Sequence, residues 1–180
     1  MTASPAPPHA APHTIPAETV ACDLLVAGCG ASGMTAAIVA RNAGLDVVVA
    51  EKERVFGGTT AFSGGYLWVP NNPVSRAAGV EDTVEAARAY MRHETANHFD
   101  AARVDAFLEH GPRMVAFMHE HTQVRFEAAP AFSDYHPDAP GGTPGGRSIL
   151  TQPVDMAILG DDIAKLRPPR PELTLYGLTI

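Results

Sequence analysis

The sequence is constrained most by one glycine pattern, Gly28, Gly30 and Gly33, which follows the apolar run Leu24–Ala27 and precedes a helical pattern. A G-x-G-x-x-G spacing between a strand and a helix is typical of dinucleotide binding. The first glycine permits a sharp turn, the second lets the backbone approach a pyrophosphate, and the third lets helix and strand pack closely. The pattern predicts an α/β, Rossmann-like fold whose helix N-terminus faces an anion.

An acidic residue, Glu51, ends the second apolar run Val47–Ala50 and follows Gly33 by 18 residues. This position matches the acid that hydrogen-bonds a ribose hydroxyl about 20 residues after the glycines. An acid there disfavours a 2′-phosphate, so NADP is not predicted. The alternative is a glycine-rich turn in some other α/β protein. A short-chain NAD dehydrogenase is disfavoured, because no tyrosine has a lysine four residues later.

Composition narrows the choice of partners. A chain of 180 residues with 46% hydrophobic residues and a mean hydropathy of −0.02 is typical of about one soluble globular domain. The net charge of −7 leaves no basic stripe, so nucleic acid is not an expected partner. Cys22 and Cys29 form no disulfide framework, which fits a reducing compartment.

The first 20 residues contain five prolines and no apolar run, and we expect residues 1–20 to be a disordered tail. The tail lacks the features of a secretory signal, and no stretch reaches the 18 apolar residues of a membrane span. The sequence therefore predicts a cytoplasmic protein without a membrane span.

A second stretch of small residues runs from Arg54 to Pro73, where a nicotinamide dehydrogenase would begin its next helix. Small and hydroxyl side chains let the backbone lie against a flat or charged ligand and donate hydrogen bonds to it. A flexible glycine and serine loop is the alternative. The residues concerned are Gly57, Gly58, Thr59, Thr60, Ser63, Gly64 and Gly65.

Glu51, the second glycine stretch, the run SGGYLWVPNNP and the later FSDYHP and GRSI together resemble a known group of flavoproteins. They resemble the FAD-binding domain of the fumarate reductase and succinate dehydrogenase flavoprotein superfamily, and within it the 3-ketosteroid dehydrogenase branch. The resemblance implies a Rossmann-like FAD-binding domain of the glutathione reductase type, with FAD as cofactor. The implied FAD-binding residues are Gly28, Gly30, Ala31, Ser32, Gly33, Glu51, Lys52, Gly57, Gly58, Thr59, Thr60, Ser63, Gly64 and Gly65.

Tyr135 is the candidate catalytic residue, and its role comes from the resemblance. In the family a tyrosine at the matching Asp-Tyr position projects into the substrate pocket and supports a second tyrosine. That second tyrosine removes a proton next to the ketone while hydride passes to the flavin. A phenol needs such hydrogen-bonded help to act as a base near neutrality. The alternative is a tyrosine that anchors an irregular loop with few core residues. Arg147 and Ser148 match the family's run, although a single arginine is most often on the surface.

The middle of the chain predicts helices. Asp82 and Glu85 form a capping-box pattern, and Asp100 is a second N-cap candidate. Gly111 is predicted to end that second helix and Pro112 to begin a third. A short strand is expected over residues 124–126.

The histidines do not predict a metal site. His93-Glu94 is followed by His98, which misses the i, i+4 spacing of H-E-x-x-H, and His119 and His121 point to different sides of a helix.

We therefore expect residues 21–180 to be the N-terminal part of an FAD-binding domain, with a helical segment and an irregular loop region. By resemblance, a family member would continue past Ile180 with a cap domain and the proton-abstracting tyrosine, so we expect a truncated chain. The function hypothesis is FAD-dependent dehydrogenation of a 3-ketosteroid or similar cyclic ketone, with no electron acceptor identified. The alternatives are a non-catalytic dinucleotide-binding remnant and a related flavoprotein with another substrate.

Overall fold

The computed structural model describes residues 19–175 and 178–179. The predicted tail therefore lies outside the described residues, except for its last two positions. The chain divides into two compact units, residues 1–52 and residues 53–180. In the described part of the chain, no helix combines the length and apolar character that a membrane crossing requires.

The first unit is a strand–helix–strand element. β1 (Leu24–Ala27) and β2 (Val47–Ala50) are parallel neighbours, joined by α1 (Ala31–Asn42). Parallel strands need a crossover connection, which the helix provides. Ala37 and Ala40 are the buried residues of α1. Both strands have the bounds of the predicted apolar runs, and the helix lies between them as predicted.

The second unit has a three-stranded antiparallel sheet in the order β3-β5-β4. Its described elements are β3 (Tyr66–Trp68), α2 (Pro73–Ala77), α3 (Val84–Thr95), α4 (Ala101–His121), β4 (Phe126–Ala128) and β5 (Ser148–Thr151). A further strand pair, β6 (Thr174–Leu175) and β7 (Leu178–Thr179), follows 3₁₀ segments at Met156–Lys165 and Pro171–Leu173. Shorter 3₁₀ turns lie at Thr60–Phe62 and Ala96–His98.

The cap of α3 differs from the predicted one. Thr83 is the N-cap, and its Oγ1 accepts a hydrogen bond from the Ala86 amide at 3.1 Å. The interpretation of Asp82 as the cap is wrong, because its carboxylate instead binds Arg147. The Asp100 prediction is confirmed, since its side chain accepts from the Arg103 amide at the start of α4.

One helix runs where two were predicted: α4 continues through Gly111 and Pro112 to His121. Proline usually disfavours helical geometry in the preceding residue because its ring meets that residue's Cβ. Gly111 has no Cβ, so the helix can pass. Gly111 is also buried, and a Cβ there would lie 3.1 Å from Val69 Cγ1. The predicted helix boundary is therefore wrong.

The core of the second unit includes a cluster between α3 and α4. Ala87, Val104 and Leu108 are buried, with Met91 and Phe99 packed against them. The helical spacing predicts one apolar face at Val84, Ala87 and Met91 and another at Val104, Phe107 and Leu108. Burial confirms Ala87, Val104 and Leu108, whereas Val84 and Phe107 are exposed.

The strand predicted at residues 124–126 lies two residues later. Thr122 Oγ1 accepts a hydrogen bond from the Val124 amide at 2.9 Å, so Val124 belongs to the turn that ends α4. Pairing with β5 begins at Phe126, opposite Thr151.

Candidate active site

The glycine turn of the first unit has the geometry that close packing of strand and helix requires. Gly28 has φ +91°, a conformation that side chains rarely adopt. A Cβ added at Gly33 would collide with the carbonyl oxygen of Gly28. The first turn of α1 therefore lies directly against the chain that leaves β1.

The start of α1 suits an anion. Gly30 is the N-cap and supplies no side-chain hydrogen bond, and the first turn carries no acidic residue. The N-terminal amides and the helix dipole both favour negative charge at this end. Ala31 and Ser32 follow in that first turn, and both are exposed.

Glu51 lies beside this turn. Its Oε2 accepts a hydrogen bond from the Cys29 amide at 3.0 Å and another from the Cys29 thiol at 2.9 Å. Cys29 is 5% exposed, so these bonds hold the carboxylate against the glycine turn. Lys52 follows Glu51 and is exposed. The structure thus brings together the first group of sequence-predicted residues, Gly28 to Gly33 with Glu51.

The second glycine stretch belongs to the second unit and has defined structure. Gly57 and Gly58 precede the 3₁₀ turn Thr60–Phe62, and Gly65 precedes β3. A Cβ at Gly57 would lie 2.7 Å from Ala61 Cβ, so this glycine is required by the turn itself. The flexible-loop alternative does not describe a segment built of a turn and a strand.

Ser63, Gly64 and Gly65 of that stretch line a cavity of about 570 Å³, while Gly57, Gly58, Thr59 and Thr60 are not among its lining residues. Ligand pockets typically measure about 300 to 1,000 Å³. The remaining walls come from β3, α3, the start of β5 and the loop before it. These lining residues are Tyr66, Trp68, Tyr90, Met91, Glu94, Thr95, Phe132, Ser133, Asp134, Tyr135 and Ser148.

Aromatic rings dominate the cavity wall. The rings of Tyr66 and Phe132 stack with centroids 4.6 Å apart, and the ring centroids of Trp68 and Tyr90 are 5.9 Å apart. Such rings offer flat apolar surface for a ligand of fused or single rings. Sequence reasoning missed this group, because its members are separated by up to 66 positions along the chain.

Tyr135 lines the cavity, and 93% of it is exposed. A side chain with so little contact cannot anchor its loop, so the structure disfavours the anchor alternative. The anchor is its neighbour Asp134, which is 3% exposed. In the loop at residues 129–147 the buried positions are Asp134, Gly146 and Arg147, in agreement with the prediction of few core residues.

Asp134 belongs to a buried charged cluster, here called the Arg147 network, made of Arg147, Asp82 and Asp134. Arg147 Nη1 donates to Asp134 Oδ2 at 2.8 Å. Its Nε and Nη2 donate to the two oxygens of Asp82 at 3.0 and 2.8 Å. The Arg147 side chain is 1% exposed, so its interpretation as a surface residue is wrong.

The Arg147 network reaches the cavity through Trp68. Trp68 Nε1 donates to Asp134 Oδ1 at 2.7 Å, and the Thr143 amide donates to Asp134 Oδ2 at 3.1 Å. Sequence reasoning missed these contacts as well. The residues around Arg147 and Asp82 in the sequence do not indicate this contact, because the two lie 65 positions apart.

Glu94 lies at the cavity beside His136. His136 Nδ1 is 2.9 Å from Glu94 Oε2, and the His136 amide donates to the Tyr90 hydroxyl at 3.3 Å. The hydrogen bond from His136 lowers the pKa of Glu94 below its ordinary value, and His93 adds a smaller effect in the same direction. These contacts attach the residue after Tyr135 to α3.

The residues of the first unit fit a dinucleotide such as FAD. The collision expected at Gly33 shows that helix and strand pack as closely as a dinucleotide-binding turn requires. A helix start whose N-cap is a glycine suits the pyrophosphate, and a carboxylate after β2 suits a ribose hydroxyl.

Comparison with known proteins agrees with this geometry. The family model described as FAD binding domain matches residues 23–175. A 3-oxosteroid 1-dehydrogenase of Mycobacterium tuberculosis is 48% identical over 146 residues, which are 81% of this chain and 26% of that protein. A 4-oxocyclohex-2-ene-1-carboxylate 5-dehydrogenase of Sinomonas cyclohexanicum is 43% identical over 166 residues, which are 92% of this chain and 28% of that protein.

The fold comparison gives the same family. The crystal structure of 3-ketosteroid delta1-dehydrogenase from Sterolibacterium denitrificans, in complex with 1,4-androstadiene-3,17-dione, superposes with a TM-score of 0.80 at 35% identity. The match covers 87% of this chain and 28% of that one. The chain thus spans about a quarter of the length of its relatives. The predicted fold class, the FAD cofactor and the resemblance to 3-ketosteroid dehydrogenases are confirmed, and the chain belongs to the FAD binding domain family.

Proposed function

We propose that this chain is the N-terminal, FAD-binding part of a flavoenzyme that dehydrogenates a 3-ketosteroid or a similar cyclic ketone. The names of the two relatives given above both refer to a cyclic ketone as the substrate. The observation that supports the proposal most directly is the cavity of about 570 Å³, whose aromatic walls suit flat apolar rings.

In this proposal the first unit holds the dinucleotide part of FAD. The amides at the start of α1, from Gly30 to Ser32, bind the pyrophosphate, and Glu51 binds the adenosine ribose. The remaining proposed FAD contacts are Lys52 and the second glycine stretch, Gly57, Gly58, Thr59, Thr60, Ser63, Gly64 and Gly65. When bound, FAD supplies the acceptor for the hydride that leaves the substrate.

The chain's own residues then orient the substrate. Tyr66, Trp68 and Phe132 provide an apolar surface that excludes water from the ring. Tyr135 presents its hydroxyl at the cavity, where it supports the tyrosine that removes the proton next to the ketone. That second tyrosine is implied by the family resemblance.

The remaining parts of the proposal concern organisation and location. Residues 21–180 form the FAD-binding part of the protein. We propose a cytoplasmic location, because both cysteines are free thiols, which fits a reducing compartment.

Flavin reduction tests the proposal directly. The full-length flavoenzyme that contains this chain is purified, its FAD content is measured after dialysis, and its reduction by a 3-ketosteroid and by 4-oxocyclohexanecarboxylate is followed in anaerobic stopped flow. We expect FAD to be retained and at least one ketone to bleach the flavin. Retained flavin that neither ketone reduces would instead support a non-catalytic dinucleotide-binding protein.

Tyr135→Phe tests the role of the hydroxyl. General acid–base assistance contributes about 10²- to 10⁴-fold, and a supporting group accounts for part of it, so we expect kcat to fall at least about tenfold. KM should change less, because the aromatic ring is retained. A reduction rate per bound FAD within about twofold of the parent would remove Tyr135 from the chemistry.

A further inference from the structure

We propose that Asp134 is a positioning residue for the reaction: held by buried Arg147, it fixes Tyr135 and the Trp68 wall in one arrangement. This inference rests on the proposed function. It assigns a role to the Arg147 network, of which Asp134 alone lines the cavity.

The position of Tyr135 must come from its neighbours, because its own side chain is 93% exposed. On one side, the Asp134 amide donates to the Thr143 carbonyl at 3.1 Å, and Asp134 Oδ2 accepts from the Thr143 amide at 3.1 Å. On the other side, His136 is bound to α3 through Tyr90 and Glu94. Tyr135 is therefore a projecting residue between two attached ones.

Asp134 also determines the orientation of the cavity wall. Its Oδ1 accepts the indole N–H of Trp68 at 2.7 Å, and the two side chains line the same cavity. A single carboxylate thus connects the loop that carries Tyr135 to the indole that would lie against the substrate. A change at Asp134 alters both parts at once.

The chemistry of the site requires a carboxylate. Its two oxygens accept hydrogen bonds from three donors: Trp68 Nε1, the Thr143 amide and Arg147 Nη1. Asparagine has one oxygen and an NH₂ group, so one of these donors would face another donor. A buried donor without an acceptor is costly, and the arrangement shifts to avoid it.

The first test uses the 180-residue chain, which has one tryptophan. Its ¹H–¹⁵N spectrum therefore contains a single indole resonance. In Asp134→Asn we expect this resonance to move upfield and its proton to exchange faster with solvent. Asp138→Asn, the same change at an exposed position of the same loop, should leave it in place. An indole resonance unchanged by Asp134→Asn would overturn the inference.

The second test uses the FAD-loaded enzyme and a double-mutant cycle. Misplacement of a reacting group by about 1 Å costs up to about 10²-fold, so Asp134→Asn should slow flavin reduction by about tenfold to a hundredfold. Substrate KM should change far less. If Asp134 acts in part through Tyr135, the loss in the double variant should be clearly smaller than the product of the two single losses, and the part that remains reports the Trp68 wall. Multiplication of the two single effects would overturn the inference.

A variant that keeps the carboxylate covers the case in which Asp134→Asn does not fold. Trp68→Phe removes one donor and keeps an aromatic wall, and we expect the same non-additivity with Tyr135→Phe at smaller size. A wild-type enzyme that reduces no flavin with either ketone would refute the proposed function and this inference with it. The indole measurement needs neither flavin nor ketone, so its failure alone refutes only the inference.

Discussion

The glycine turn of the first unit and the loop at residues 129–147 of the second unit hold their functional groups by opposite means. In the turn, side chains are missing: Gly33 has no room for a Cβ beside the Gly28 carbonyl. In the loop, side chains hold the structure in place, because Arg147 binds Asp82 and Asp134 in a buried cluster. The turn is therefore sensitive to added atoms, and the loop is sensitive to removed ones.

The largest effect is expected from Arg147→Met. This change leaves two buried carboxylates without their cation, and removing one partner of a buried ion pair costs about 3–5 kcal/mol. Urea unfolding followed by the fluorescence of Trp68 measures the loss. Arg88→Met is the matched control, because Arg88 forms an exposed ion pair with Asp105. Equal shifts of the two unfolding midpoints would show that burial of the Arg147 network contributes nothing.

Gly33→Ala tests the turn by adding one carbon. Because that carbon meets backbone atoms, we expect the free energy of unfolding to fall by about 3 kcal/mol, near the upper end of overpacking effects. At Gly44 the added carbon meets nothing within 4 Å, and only the φ of +87° opposes it, at about 1 kcal/mol. Amide exchange in α1 compares the two variants. A greater loss of protection in Gly44→Ala would contradict the steric account.

Glu51→Ala is expected to weaken FAD retention by about 1.5–3 kcal/mol, the contribution of a charged hydrogen bond. Flavin content after dialysis measures it. Since Cys29 also bonds Glu51 Oε2, Cys29→Ala separates the two roles: it removes the thiol donor and keeps the carboxylate. Comparable flavin loss in both variants would mean that Glu51 acts through the turn rather than on the ribose.

The smallest effect concerns pH. The pKa of Glu94 is lowered by His136, so its contribution to stability is present above the ordinary carboxyl pKa and is lost as pH falls through the lowered value. As pH falls below the ordinary carboxyl pKa and through the lowered pKa of Glu94, the wild type should lose stability that Glu94→Gln does not lose. His136→Gln should flatten the profile in the same way, and Asp138→Asn should not. An unchanged slope in Glu94→Gln would contradict this assignment.

The same contrast explains what the sequence could predict. Every element of the first unit follows from neighbours in the chain: an apolar run, three spaced glycines and a second run. The strands Leu24–Ala27 and Val47–Ala50 were predictable for that reason. The assignments of individual residues to FAD and to catalysis remain predictions.

The second unit depends on contacts between distant positions. Asp82 satisfied a local capping pattern, yet Thr83 caps α3 and Asp82 binds an arginine 65 positions away. A local pattern cannot show which of two competing partners a carboxylate takes. The cavity was unpredictable for the same reason, since its walls come from four separate segments. The family resemblance predicted Tyr135 as a site residue, and the structure shows that its side chain is exposed.

The Gly111–Pro112 pair makes two adjacent positions of α4 unequal in what they accept. Gly111 has no Cβ to meet the Pro112 ring. A Cβ at Gly111 would also lie 3.1 Å from Val69 Cγ1. Replacing Pro112 therefore leaves the packing of Gly111 intact, whereas any side chain at position 111 meets both Pro112 and Val69.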